Sequence, residues 1–206
     1  MDFVDTVVAS ALVCVVLSVY VATLCPSVPG GDSGELLQLA VELGVAHPPG
    51  YPTWTMVAHV FTWLPFGEVG WRVNLSSAVM NAVAAGVTAS AVSQWSGCTW
   101  TGVVAGGAFA FSPLVWLYAT QAEVFALNNL CNALLLLLLV RFDRAPTLRH
   151  GCLGAFAIGL GLTNQHTLLF FVAPYACWVL AARSTPPASR AATAPCPLTA
   201  HATTEG

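Results

Sequence analysis

The chain has 206 residues, of which 57% are hydrophobic and only 7% are charged, and its formal net charge is −3. A typical soluble domain carries about 25% charged residues, so a water-soluble fold of this length could not cover its surface with the charges present here. The absence of a positive net charge also excludes the basic surface that holds nucleic acid. We therefore predict an all-α integral membrane protein that crosses the bilayer several times and contacts membrane lipids.

Six apolar stretches are candidates for membrane spans. The first covers residues 7–24, and because Asp2 and Asp5 precede it without any Lys or Arg, we favour an uncleaved signal-anchor over a cleaved signal peptide. The others are approximately residues 73–92, 99–117, 124–140, 151–162 and 167–182. The fifth is short, and Phe111-Ser112-Pro113 weakens the helix of the third.

Residues 25–71 form the first long connection and are rich in proline, glycine and acidic side chains. Leucines at helical spacing predict a short amphipathic helix over residues 33–43, ended by Gly44. Pro52–Leu64 is apolar and aromatic but short, so it is either a further span or a helix that lies in the membrane interface.

The arginines predict which side of the membrane each loop faces. Arg141, Arg144 and Arg149 lie in one loop, which we expect to be cytosolic together with Arg183 and Arg190. Counting back along the chain then places Glu123, Arg72 and the whole 25–71 loop in the lumen. If Pro52–Leu64 crossed the membrane, Asp32 would move to the cytosolic side.

The sequence divides into a transmembrane region, residues 1–183, and a tail, residues 184–206. The tail is rich in Pro, Ala, Thr and Ser and lacks the apolar runs that precede it. A segment of this composition cannot bury enough apolar surface to fold, so we predict that it is disordered.

The segment from Gly30 to Glu35 (Gly-Gly-Asp-Ser-Gly-Glu) has two interpretations. In the structural one, Asp32 or Ser33 caps the following helix and Glu35 completes a capping box. In the functional one, Asp32 is a general base at the membrane surface, and the glycines allow a substrate to approach the backbone. The two are compatible, because Glu35 can cap while Asp32 reacts.

The segment from His47 to Pro52 (His-Pro-Pro-Gly-Tyr-Pro) contains three prolines that hold the chain extended. It is either a stiff connector or a mount that presents His47 near Asp32, where the imidazole would orient or protonate a substrate group.

Together, Gly31-Asp32-Ser33-Gly34-Glu35 and the stretch from Leu43 to Pro52 resemble the N-terminal signature of the transmembrane-protein-260 type of O-mannosyltransferases. Residues 111–123 and 159–166 are similar to later blocks of that family. The resemblance implies a GT-C-like helical bundle in the endoplasmic reticulum membrane, with short juxtamembrane helices in a luminal first loop. It also implies mannose transfer from a dolichyl-phosphate donor to Ser or Thr of the IPT domains of plexin-type receptors.

The GT-C pattern places an essential acidic residue in the first luminal loop, and Asp32 matches it. We assign donor or substrate binding to nine further residues: Glu35, His47, Tyr51, Arg72, Gln121, Glu123, Asn164, Gln165 and His166. Arg72 and His47 are candidates for phosphate, since a lone arginine near the headgroups can grip it bidentately. Without a DxD-like pair or a CxxC pair, we predict neither a metal site nor a cofactor.

Two other functions remain open. A transporter or channel would line a polar path with Asp32, Glu123 and His166, but the spans read as almost purely apolar between their ends. An inactive, truncated form is the other alternative, because family members are much longer and the likeness ends near Ala182.

Overall fold

A computed structural model of the chain describes residues 3–184, with side chains as far as Ala181. Over this range the chain is helical and contains no strand, which confirms the predicted all-α class. The predicted disordered tail lies almost entirely outside the described residues. The helices are α1 Phe3–Ala22, α2 Ser33–Glu42, α3 Pro52–Thr62, α4 Val69–Ser96, α5 Thr99–Ala110, α6 Pro113–Ala119, α7 Phe125–Arg144, α8 Leu148–Leu162 and α9 Leu169–Ser184, with a 3-10 turn at His166–Leu168.

Three of the described helices, α1, α4 and α7, are long and apolar enough to cross a membrane. The predicted spans at 7–24, 73–92 and 124–140 fall on them. The predicted span 99–117 is not one straight helix: α5 and α6 meet at 67° and together form at most a fourth, broken span. The break follows from Pro113, which cannot donate to the preceding turn and instead begins α6.

The remaining apolar helices are shorter. α8 has 15 residues, and α9 begins directly after the 3-10 turn and contains Pro174. α3 has only 11 residues, a length of about 16 Å, which is about half of the hydrocarbon core of a bilayer. The interfacial alternative for Pro52–Leu64 therefore fits the structure better than a crossing.

α4 is the central helix and packs against α1, α5 and α7. Small residues bring α5 very close to it. A Cβ atom at Gly102 would collide with the carbonyl oxygen of Ala89, and one at Gly106 would collide with that of Ala85. The two backbones are thus in direct contact, a mode of packing that small residues permit between membrane helices.

Polar side chains run along the contact between α4 and α7. Asn81 of α4 is fully buried and accepts a 3.0 Å hydrogen bond from the Nδ2 atom of Asn129 on α7. Asn128 is buried beside it. The expectation that the spans are almost purely apolar is therefore wrong for α4 and α7. A high mean hydropathy over a stretch does not show that its few polar side chains lie where a neighbouring helix covers them. These groups are neutral amides, whereas the charged side chains of residues 3–184 lie at helix ends and in loops.

The connections between helices gather at two ends of the bundle. At one end, which we call the acidic end, lie Asp32, Glu35 and Glu123. Loops that are distant in sequence meet there: the amide of Cys25 donates to the carbonyl oxygen of Thr120 at 3.0 Å. At the opposite end, the N-terminus of α1 meets the turn between α4 and α5.

Candidate functional site

Asp32 lies at the N-terminus of α2. It occupies the N-cap position, yet its carboxylate makes no capping hydrogen bond, and 65% of the side chain is exposed. Gly31, immediately before it, has φ of +73°, a left-handed conformation that glycine adopts without strain. The predicted capping box is wrong, because Glu35 binds a different partner.

That partner is His47. Glu35 Oε1 accepts the backbone N–H of His47 at 2.9 Å, and Glu35 Oε2 lies 3.0 Å from the ring atom Nδ1 of the same residue. These two hydrogen bonds, first the one from the backbone and then the one from the ring, lower the pKa of the Glu35 carboxyl. Glu35 is thus a carboxylate anchored to the His-Pro-Pro segment.

The far side of the His47 ring faces Asp32 and Tyr51. Its Nε2 atom lies 3.9 Å from Asp32 Oδ2 and 3.5 Å from the Tyr51 hydroxyl oxygen. Tyr51 has φ of +47°, which is strained for a bulky residue and sets where its ring points. Burial and then the negative charge of Asp32 raise the pKa of the Tyr51 hydroxyl, so it stays a proton donor.

Glu123 forms the buried wall of the site. Only 7% of it is exposed, and its Oε1 atom lies 3.8 Å from the place where a side chain on Gly31 would begin. Burial, and next the charge of Asp32, raise the pKa of the Glu123 carboxyl to about 7. Near neutral pH a substantial fraction of Glu123 is therefore protonated, so the site holds a carboxyl that can donate beside a carboxylate that can accept.

Asn74 of α4, which we did not predict as a site residue, joins the two acidic loops. Its fully buried side chain donates to the carbonyl oxygens of Cys25 and Ser27, both at 2.9 Å, and accepts the amide of Ala122 at 2.8 Å. Because it satisfies backbone groups on both sides, it fixes the loop before Asp32 against the residue before Glu123. The sequence does contain a signal for this residue: an asparagine within an apolar stretch needs hydrogen-bond partners if it is buried.

Two further side chains hold the backbone of Glu123. The indole N–H of Trp54 donates to its carbonyl oxygen at 3.0 Å, and the Ser77 hydroxyl accepts its amide at 3.4 Å. α3 and α4 therefore position this residue, although neither helix carries a charged group of the cluster.

The Asn164-Gln165-His166 segment reaches the same end of the bundle. Asn164, only 1% exposed, donates to the carbonyl oxygen of Val124 at 3.3 Å, while its own Oδ1 atom and the Oε1 atom of Gln165 are buried without a hydrogen-bond partner. His166 is exposed at the start of the 3-10 turn. The segment thus lies against the residue after Glu123, but no contact among the described residues joins Gln165 or His166 to the carboxylates.

Arg72 and Gln121 lie near the cluster without joining it. The Arg72 guanidinium donates to the carbonyl oxygens of Thr62, Phe66 and Gly67 at 2.9–3.0 Å and so closes the turn between α3 and α4. Gln121 is half-buried two residues before Glu123. A phosphate-binding role for Arg72 stays a prediction. Within residues 3–184, no three side chains of His, Cys, Asp or Glu are grouped to hold a metal ion.

The fold and the cluster define a class: a helical membrane protein with a carboxylate–imidazole site where its helices end. Comparison with known proteins makes this more specific. The family model described as "Protein O-mannosyl-transferase TMEM260 N-terminal domain" matches residues 32–189, which begin at Asp32 and contain every candidate site residue. The chain belongs to this family, as its motifs predict.

Curated relatives give the same result. The chain is similar to "Protein O-mannosyl-transferase TMEM260" of Mus musculus, with 46% identity over 170 residues, 80% of this chain and 24% of the relative. It is also similar to "Protein O-mannosyl-transferase tmem260" of Dictyostelium discoideum, with 36% identity over 193 residues, 83% of this chain and 24% of the relative. The chain thus spans about a quarter of the length of these relatives. No solved structure matches it.

Proposed function

We propose that this chain provides the acidic site of a GT-C-type protein O-mannosyltransferase. Mannose would move from a dolichyl-phosphate donor to Ser or Thr of IPT domains of plexin-type receptors, in the endoplasmic reticulum membrane and with the acidic end in the lumen. The relatives' description as protein O-mannosyl-transferases supports the transferase activity. The observation that carries the proposal is the exposed Asp32 carboxylate beside His47 and Glu123.

The reaction needs a base for the acceptor hydroxyl. As the hydroxyl oxygen forms its bond to the anomeric carbon, the bond from that carbon to the phosphate oxygen breaks with inversion, and the hydroxyl proton goes to Asp32. An exposed carboxylate to which no capping group donates a hydrogen bond can accept that proton directly. Asp32 meets this requirement better than Glu123, which is buried and partly protonated near neutral pH.

The departing phosphate needs hydrogen-bond donors near the same carbon. Tyr51 and the protonated fraction of Glu123 lie around Asp32 and can donate, and His47 can donate from Nε2 once it has taken up a proton. We assign the remaining predicted contacts, with the sugar or the lipid phosphate, to Arg72, Gln121, Asn164, Gln165 and His166. The two buried oxygens without partners, on Asn164 and Gln165, can accept hydrogen bonds from sugar hydroxyls.

The donor proposed here carries its sugar on a lipid phosphate rather than on a nucleotide pyrophosphate. The protein therefore needs charge and hydrogen bonds for a single phosphate, and no metal is assigned to the mechanism. The isoprenoid tail of such a donor stays in the bilayer, which suits a site at the ends of membrane helices.

The test is transfer of labelled mannose from dolichyl-phosphate-mannose to a purified IPT domain by the protein in lipid nanodiscs. Asp32→Asn is expected to lower the rate by about 100-fold or more, because it removes the base and keeps the shape. Asp5→Asn, a matched change at the opposite end, should leave the rate within about twofold. Near-normal transfer by Asp32→Asn would remove Asp32 from the mechanism, and no transfer by the unmodified chain would refute the activity for this chain.

Membrane orientation is tested separately. Glycosylation tags placed in residues 25–31 and in the loop after α7 should be modified only at the first position. Modification of the second tag alone would put the acidic end in the cytosol and overturn the mannose-transfer proposal. A transporter is tested by solute flux into proteoliposomes, which the proposal expects to be absent.

A further inference from the structure

We propose that Glu35 is a positioning residue that acts through His47 and not a substrate ligand. It fixes the His47 ring with a proton on Nδ1, so that Nε2 faces Asp32 and receives the proton that Asp32 takes from the acceptor. This inference rests on the proposed role of Asp32 as the base.

Glu35 fixes the position of the His47 ring. Glu35 uses both carboxylate oxygens on one residue: Oε1 holds the backbone N–H of His47 at 2.9 Å, and Oε2 holds Nδ1 at 3.0 Å. A carboxylate bound at two points fixes the main chain and the side chain of its partner together. The prolines after His47 stiffen the same segment, so the ring cannot follow a substrate by moving the backbone.

The same contact determines which ring nitrogen of His47 carries the proton. A carboxylate is only an acceptor, so the 3.0 Å contact requires a hydrogen on Nδ1. Glu35 stays ionised because its hydrogen bonds to His47 lower the pKa of its carboxyl. With Nδ1 protonated, Nε2 of the neutral ring carries the lone pair.

The lone pair on His47 Nε2 faces other titratable groups of the cluster. Nε2 lies 3.9 Å from Asp32 Oδ2 and 3.5 Å from the Tyr51 hydroxyl, and Glu123 is the other titratable group of the cluster. The distance of 3.9 Å is too long for a hydrogen bond, so His47 and Asp32 exchange a proton only when the two side chains approach each other or when one hydroxyl bridges them.

The proton of the acceptor hydroxyl therefore has a defined path through the site. It passes from the hydroxyl to Asp32 as the new sugar–oxygen bond forms, and then from Asp32 to the lone pair on His47 Nε2, which faces it. Glu35 compensates the resulting positive charge. His47 later releases the proton to water, which regenerates both groups for the next transfer.

The direct test is the position of the ring proton in the full chain, labelled with ¹⁵N in its histidine rings and held in nanodiscs. The signal of His47 is identified by its loss in His47→Gln. At alkaline pH the proton is expected on Nδ1 in the unmodified protein. In Glu35→Ala it should move to Nε2, the form that isolated histidine prefers.

Glu42→Ala is the matched control. Glu42 is a carboxylate on the same helix whose side chain accepts a hydrogen bond from Gln38. Its removal should leave the His47 signal unchanged. A proton on Nε2 in the unmodified protein, or the same His47 signal in Glu35→Ala, would overturn the proposal. Because Glu35 lies near the surface of α2, Ala should leave the helix intact, and circular dichroism checks this.

The transfer assay then tests the path. Glu35→Ala and His47→Gln are each expected to slow transfer by about tenfold or more, and the double variant should be no slower than His47→Gln alone. Multiplied losses would mean that Glu35 acts independently, for example by binding substrate, and would overturn the proposal. If Asp32→Asn kept full activity or the unmodified chain showed none, the proposed function would fail, whereas the ring-proton measurement would still decide the role of Glu35.

Discussion

The two ends of the bundle use the same residue type in opposite ways. At one end, Asp5 accepts hydrogen bonds from the Ser93 hydroxyl at 3.0 Å and the Thr99 hydroxyl at 2.7 Å, which tie α1 to the turn between α4 and α5. At the other end, Asp32 has no hydrogen bond to its carboxylate among the described residues and is largely exposed. Asp5 thus holds helices together, whereas the Asp32 carboxylate remains open to solvent.

The surroundings explain the difference. Asp5 lies in the first turn of a long helix, where neighbouring helices place hydroxyl groups within reach. Asp32 follows two glycines, and the group that would normally accompany it in a capping box, Glu35, binds His47 instead. At the acidic end, therefore, the buried neutral side chain of Asn74 holds the loops before Asp32 and Glu123 together, while the Asp32 carboxylate itself remains accessible.

The largest expected effect on stability tests that last statement. Asn74→Leu should lower the free energy of unfolding by about 3 kcal/mol, because one buried and two partly buried backbone groups lose their hydrogen-bond partner. Unfolding in mixed micelles measures the loss. A loss under about 0.5 kcal/mol for Leu would show that the charged groups hold this end together.

The next effect depends on pH. The pKa of Glu123 is about 7 in the folded chain and near 4.5 when unfolded, so the folded state keeps a proton that the unfolded state loses. Stability from this group is complete below about pH 4.5 and falls as the pH rises through 7. Glu123→Gln should therefore be more stable than the unmodified chain at pH 8, by about 2 kcal/mol, and nearly equal at pH 4.

The neighbouring titratable groups, Asp32 and His47, are unchanged in the Glu123→Gln variant, so the difference between the two proteins isolates Glu123. Unfolding curves at pH 4, 6 and 8 give the comparison. A difference that does not vary with pH would mean that Glu123 is ionised throughout and that the carboxyl is not a proton donor in the site.

The smallest effect concerns the opposite end. Asp5→Asn should lower the free energy of unfolding by about 1 kcal/mol, because neutral hydrogen bonds to the Ser93 and Thr99 hydroxyls are weaker than those to a carboxylate. The same micelle assay measures it. If Asp5→Asn slowed mannose transfer as strongly as Asp32→Asn, the division of labour between the two ends would be wrong.

The sequence was sufficient for the features that depend on local pattern. Long apolar runs predicted α1, α4 and α7, and helical spacing predicted α2, whose end differs by one position because Leu43 and not Gly44 adopts the left-handed conformation. The family pattern indicated Asp32, and the chemistry of the transfer led us to expect His47 and Glu123 in the same site; the structure places these three residues together.

Features that depend on contacts between distant residues could not be predicted. The partner of Glu35 is twelve residues away across a turn, so a local capping rule selected the wrong acceptor. The importance of Asn74 depends on three loops that meet only in the folded bundle. The 67° bend after α5 required knowing that Pro113 would begin a new helix rather than kink an existing one.

The hydrogen bond between Asn81 and Asn129 has a consequence for biosynthesis. Each amide is unfavourable in lipid by itself, and α4 is synthesised well before α7. Until α7 has been synthesised, the Asn81 side chain of the newly inserted α4 lacks the hydrogen bond that Asn129 later donates. The arrival of α7 thus supplies that partner, and a chain that ended before α7 would leave the Asn81 amide in the bilayer without it.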